Sequence, residues 1–209
     1  MKNAIHPRFV VAGTDTDVGK TVFAAALAQN LQGVYWKPLQ CGDENTDSKT
    51  VAALAGVKIL PEAYVLKAPM SPHRAAELEK KEVDAARLTP PSVDAPLIIE
   101  GTGGLKVPIT RKLIYIDMLQ RWQIPVILCT RTALGTINHT LLSVEALEVR
   151  SIPVHGLVFI GDDMPDTMQT IAEITKLKVL GRLPFLPQLN KATLAQAFTE
   201  NFKKQDFVP

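Results

Sequence analysis

The segment Gly13-Thr-Asp-Thr-Asp-Val-Gly19-Lys20-Thr21 has the residue types and spacing of an anion-binding loop. A glycine-bounded turn between an apolar run and a helical pattern presents successive backbone N–H groups, which wrap a phosphate at the helix N-terminus. Lys20 supplies charge for β- and γ-phosphate oxygens, and the Thr21 hydroxyl suits Mg²⁺. Five residues separate Gly13 from Gly19, one more than the usual spacing, and Thr14 stands where the first glycine belongs. A magnesium site also needs hard oxygen donors, for which Asp47 and Glu100 are the candidates. Glu100 closes the apolar run Pro96-Leu-Ile-Ile, a poor place for a merely solvated acid. Asp47, in Asn45-Thr46-Asp47 before an alanine-rich helix, reads equally as a helix N-cap. Lys37 closes the run Val34-Tyr-Trp36. A snorkelling lysine is ordinary at a strand end, yet a second lysine beside the loop suits a reaction that accumulates negative charge. His73, after Ser71-Pro72, fits either a structural turn or a ligand contact.

These residues need a scaffold that brings them to one edge. Buried-strand patterns cover 8–12, 34–36, 96–100, 125–129, 154–160 and 179–183. Helical patterns cover 20–31, 47–54, 72–80, 115–123, 138–149, 166–176 and 191–202. Near-continuous apolar strands alternating with helices predict an α/β fold of three layers, a mainly parallel sheet with helices on both faces. In such sheets ligands bind beyond the carboxyl ends of the strands, where Gly13, Lys37, Glu100, Thr130 and Gly161 fall.

Composition narrows the function classes. The chain has 209 residues, which suggests one domain spanning 1–209 at about 150 residues per domain. Lys and Arg total 23 against 21 for Asp and Glu, a net charge of +2 that argues against a broad electrostatic grip on nucleic acid or anionic membrane. Two cysteines, Cys41 and Cys129, make neither a disulfide framework nor a cysteine-rich zinc site. The glycine turn comes too early for a signal peptide, and no apolar run approaches a membrane span. A cytoplasmic protein is the expectation.

The motifs together resemble the dethiobiotin synthases. The resemblance rests on residues 13–21, Lys37-Pro38, Asp47, Ser71-Pro72-His73, Glu100-Gly-Thr-Gly-Gly104 and Leu134-Gly-Thr-Ile-Asn-His139, in family order to about residue 186. The Gly-Thr-Asp-Thr version of the loop is itself a family mark. Related cobyrinic acid amidases and ParA-type partition ATPases usually differ there and lack the Lys-Pro and Glu-Gly-x-Gly-Gly set.

The resemblance implies a P-loop NTPase-like fold and an ATP- and Mg²⁺-dependent ligase of biotin biosynthesis. Its substrates would be 7,8-diaminononanoate, CO₂ and ATP, joined through a carbamate and a carbamic-phosphoric anhydride. Lys20 and Lys37 would be catalytic, and Thr21, Asp47 and Glu100 would ligate the metal. Thr16, Asp17, Val18, Gly19, Lys20, Thr21 and Val22 would hold the nucleotide phosphates. Asp47, Glu100, Gly101, Thr102 and Gly103 would flank them, with Pro184, Phe185 and Leu186 near the adenine. Family members are homodimers, so Gly135, Thr136, Ile137 and Asn138 would bind the partner's substrate carboxylate at a helix start. Cys41 would touch the substrate.

Two positions depart from the family pattern. Cys41 replaces a serine, and a thiol is the weaker hydrogen-bond donor. Ile160 replaces the asparagine that reads adenine, which implies looser choice among ATP, GTP and CTP. The main alternative is a ParA/MinD-like switch that dimerises and recruits a partner. Such a switch carries a second lysine near position 15, where this loop has Asp15 and Asp17. An amidotransferase-type synthetase would need a glutaminase domain, for which too few residues remain.

Overall fold

The structure, a computed structural model, describes residues 6–208. In chain order the elements are β1 (Arg8–Gly13), α1 (Lys20–Leu31), β2 (Val34–Trp36), β3 (Leu39–Cys41), α2 (Asp47–Ala55), β4 (Lys58–Leu60), β5 (Tyr64–Leu66) and α3 (Pro72–Leu78). They continue with β6 (Leu97–Gly104), α4 (Tyr115–Trp122), β7 (Val126–Arg131), α5 (Thr136–Val149), β8 (Val154–Ile160), α6 (Pro165–Thr175), β9 (Val179–Leu183) and α7 (Lys191–Asn201).

Seven strands form one sheet in the order β4-β2-β6-β1-β7-β8-β9, and every ladder in it is parallel. Parallel neighbours need long crossovers, which the helices supply. Side chains alternate across the pleat, so each strand feeds two cores. Phe9, Val11, Tyr35, Ile98 and Ile127 pack with Phe23 and Leu27 of α1, Leu54 of α2 and Phe198 of α7. Val10, Ala12, Trp36, Ile99 and Leu128 pack on the other face with Leu119 of α4, Leu147 of α5 and Ile171 of α6. The three-layer α/β architecture expected from the alternation, a parallel sheet with helices on both faces, is therefore what the chain adopts.

Three short strands were not legible beforehand. Pro38 stops β2, and its carbonyl accepts hydrogen bonds from the Ala63 and Tyr64 amides, 3.0 and 3.2 Å. The chain then restarts as β3, which pairs with β5 in a separate two-stranded parallel sheet. Strand β4 adds to the edge of the main sheet beside β2. Three-residue strands hold too few alternations to show a period.

Two boundaries move where glycine does the work. β6 continues past Glu100 to Gly104, because its glycines let the backbone run on beside Gly13. α5 starts at Thr136 rather than Asn138, from Gly135 at φ +91°, a left-handed cap that glycine adopts without strain. Among the described residues no helix is long and apolar enough to cross a membrane.

Candidate active site

The phosphate loop leaves β1 at Gly13, and the Thr14 amide donates to Cys129 O at 3.0 Å. A Cβ at Gly13 would stand 2.7 Å from Val18 Cγ2, so the loop folds back over its own start. Gly19, at φ +96°, turns the chain into α1 and caps it without any side-chain hydrogen bond. Gly135 likewise starts α5 uncapped, whereas Thr46 and Asn190 cap α2 and α7 with their side chains. Helices α1 and α5 thus begin with N–H groups that no side chain satisfies, the feature that binds anions. Lys20 Nζ spans the loop to Asp15 O at 2.8 Å. Burial lowers its pKa, helped by repulsion from Lys37.

Glu100 gathers the rest. It is 1% exposed, and an ionised carboxylate so deep costs several kcal/mol unless it is paired. Tyr35 donates to Oε2 at 2.7 Å, Thr21 to Oε1 at 2.8 Å and Lys37 to Oε1 at 3.0 Å. Lys37 also reaches Gly101 O at 2.9 Å and Asp47 Oδ2 at 2.7 Å. Thr21 Oγ1 stands 3.0 Å from Asp47 Oδ1, so both carboxylates share its single proton. Burial works against the Lys37 charge, but Glu100 and Asp47 outweigh it and raise its pKa. Burial likewise works against the Asp47 carboxylate, and Lys37 outweighs it and holds the pKa below the usual range. Burial and Glu100 push Tyr35 well up, which keeps it a neutral donor.

Asp47 is not the N-cap of α2. Thr46 is the N-cap, accepting from the Lys49 amide at 3.3 Å, and this frees the Asp47 carboxylate to face Lys37. The Asp47 amide donates to Gln40 Oε1 at 3.1 Å.

Thr16, Asp17, Gly19, Lys20, Thr21, Val22, Lys37, Cys41, Asp47, Glu100, Thr102 and Gly103 all line one cavity of about 710 Å³. Pro69, Met70 and Pro72 form an opposing apolar wall. The Cys41 thiol, half-buried there, is pushed up to about 11 by burial, against the pull of Lys37. The hydroxyl and two carboxylates are hard donors of the kind Mg²⁺ takes while keeping water and phosphate oxygens as further ligands. Among the described residues no three His, Cys, Asp or Glu side chains converge, so Thr21, Asp47 and Glu100 suit that shared mode rather than an all-protein cage.

Other candidates lie elsewhere. Val18 is buried beneath the loop, and Gly101 contributes its carbonyl while the Tyr115 ring fills the space a Cβ would need. His73 lines two side grooves rather than the cavity. Gly135, Thr136, Ile137 and Asn138 lie at the start of α5, outside this cavity. Pro184, Phe185 and Leu186 follow β9, with the exposed Phe185 ring over Gly161. Ile160 packs on the loop: a Cβ at Gly19 would stand 2.9 Å from its Cγ2. Sequence reasoning missed Tyr35 and Gln40. Tyr35 read as one more apolar strand residue, and only its pairing beside Glu100 shows the hydroxyl's role.

A family model described as an AAA domain matches residues 7–193. The chain is 57% identical over 205 residues to the ATP-dependent dethiobiotin synthetase BioD of Agrobacterium fabrum, covering 96% of this chain and 97% of that protein. The chain belongs to the ATP-dependent dethiobiotin synthetase family. Its counterparts from Brucella anthropi and Sphingopyxis alaskensis are 54% and 53% identical, covering 93% and 96% of this chain and 93% and 98% of theirs. Like them it is an enzyme, an ATP-dependent ligase. Among solved structures, a ParA family ATPase from Chlorobium tepidum superposes with a TM-score of 0.57 at 11% identity, covering 96% and 92% of the two chains. MinD from Aquifex aeolicus gives 0.54 at 12%, covering 91% and 87%. At such identity the likeness concerns the fold alone.

Lys37→Met tests whether the synthetase uses Lys37 as a charge or as scaffolding. Turnover should fall by about 10²-fold or more, while Mn²⁺ binding to the nucleotide-free enzyme is no weaker than in the parent. Near-parent turnover would remove Lys37 from the chemistry.

Proposed function

We propose that the chain closes the ureido ring of dethiobiotin from 7,8-diaminononanoate and CO₂, with ATP consumed and Mg²⁺ required, in biotin biosynthesis. The convergence of Lys20, Lys37, Thr21, Asp47 and Glu100 on one cavity carries this reading, in a chain 57% identical to a named synthetase. One substrate amine captures CO₂ as a carbamate. A carbamate oxygen attacks the γ-phosphorus and ADP leaves, giving a carbamic-phosphoric anhydride. The second amine attacks the carbonyl carbon, and phosphate departs as the ring closes.

The first difficulty is that carbamate and γ-phosphate are both anionic. Lys37, held charged by Glu100 and Asp47, and Lys20 beside it in the same cavity would offset that repulsion and stabilise charge developing on the transferring group. Thr21, Asp47 and Glu100 would hold Mg²⁺, which supplies Lewis-acid polarisation of phosphate oxygens. Backbone N–H groups from Thr16 to Val22, with Gly101, Thr102 and Gly103 alongside, would seat the triphosphate. Base recognition would fall to the backbone around Pro184, Phe185 and Leu186. Ile160, committed to packing on Gly19, offers the base no hydrogen bond, which fits loose nucleotide choice. Cys41 would fill the substrate position next to Lys37.

A homodimer completes the site in this reading. Leu134 is fully exposed beside the uncapped start of α5, and Leu142 and Val149 are exposed further along that helix. Leu142 and Val149 line a groove of about 670 Å³ between α5 and the segment after β6. A second copy seated there would present Gly135, Thr136, Ile137 and Asn138 to the neighbouring substrate's carboxylate. The whole chain would act as one domain in the cytoplasm.

Phosphate release should require ATP, Mg²⁺, bicarbonate and diaminononanoate together, each omission returning it to background. Release independent of diaminononanoate would overturn the assignment. Sedimentation at working concentration should give a dimer, and a fully active monomer would refute the composite site.

A further inference from the structure

Arg131, the last residue of β7, has no part in the chemistry above, yet it grips the phosphate loop. Its Nη2 donates to Thr16 O at 2.9 Å, and the same nitrogen stands 3.5 Å from Asp15 Oδ2. The ion pair joins two half-exposed side chains and is worth little. The charge-assisted hydrogen bond to the carbonyl is the stronger contact.

That contact fixes a peptide plane. In a trans peptide the C=O and N–H point in opposite directions. Arg131 does not line the cavity that Thr16, Asp17, Lys20 and Thr21 share, and a Thr16 carbonyl turned toward it leaves the Asp17 N–H pointing away from Arg131. The preceding carbonyl, of Asp15, is held instead by Lys20. Two cations thus hold consecutive carbonyls of the loop. Asp17 sits at φ +54°, a left-handed conformation that costs a non-glycine residue about 1 kcal/mol and that the two held carbonyls help to fix.

The backbone of Arg131 is anchored in turn. Its carbonyl accepts from Thr136 Oγ1 at 2.6 Å, and Thr136 joins a buried hydroxyl chain through Thr130 to Thr140. The guanidinium therefore reaches the loop from the end of β7, a base tied to the start of α5.

We propose that Arg131 is a positioning residue that locks the Thr16–Asp17 peptide with its N–H toward the bound triphosphate, tying the phosphate loop to the start of α5. The proposal rests on residues 13–21 being the triphosphate loop. Because the effect acts through the backbone on phosphates, it is independent of the base.

The test titrates the full chain calorimetrically with ATP and with inorganic tripolyphosphate. Arg131→Ala should weaken both by a similar factor, about tenfold, with KM for ATP rising and kcat changing less than about twofold. Its melting temperature should match the parent, since surface changes away from the core move stability little. Arg131→Lys should recover part of the loss. Parent-like binding of both ligands by Arg131→Ala would overturn the proposal. So would equal losses in kcat and affinity accompanied by a lower melting temperature. If the parent itself binds neither ATP nor tripolyphosphate, the loop assignment fails, and the role of Arg131 fails with it.

Discussion

A buried carboxylate that must be neutralised organises the site. Glu100 lies in the middle of β6, the strand between β1 and β2 in the sheet, and is almost wholly removed from water. In parallel register it stands beside Val11 of β1, while Trp36 of β2 pairs with its neighbour Ile99. The residue after Trp36 is Lys37, and the chain after β1 is the phosphate loop. Strand order and register alone therefore deliver a lysine from one side and Thr21 from the other. Asp47 arrives by a longer route, after β3, but on the helix that opens beside the same lysine. Breaking one partner of so buried a set leaves an uncompensated charge, which is more costly than losing a surface pair.

The charges form a near-balanced set before any ligand binds. Lys37 is held charged by Glu100 and Asp47, whereas Lys20 is destabilised by burial and by Lys37. A triphosphate beside Lys20 would supply the negative charge that this lysine lacks. Asp47 and Glu100, the carboxylates that would hold a divalent cation, are the same groups that pair with Lys37. Such a site is better matched to nucleotide, metal and acidic substrate together than to any one of them.

The parts of the molecule legible in sequence were those that repeat or carry unusual chemistry. The alternation of apolar strands and helices fixed the layers, and the glycine-bounded loop located α1 and the functional edge. Asp47 could not be separated from an N-cap by sequence, since Thr46 is as good a cap and stands one residue away. The β3–β5 sheet was hidden because its strands are three residues long and its partners are set by the Pro38 carbonyl. Tyr35 escaped notice because it read as core, and Arg131 because no motif includes it. Only their neighbours in space give them roles. His73, quoted among the motif residues, lies instead on side grooves.

Glu100→Gln keeps the side chain's shape and its ability to meet Tyr35, and removes the charge. The most direct measurement is a Mg²⁺ titration of diaminononanoate-dependent phosphate release by this variant and the parent. If Glu100 is the hub, half-saturating Mg²⁺ should rise by about tenfold and maximal turnover should fall by about 10²-fold or more. Titrations that overlay in both midpoint and plateau would contradict the central role of this carboxylate.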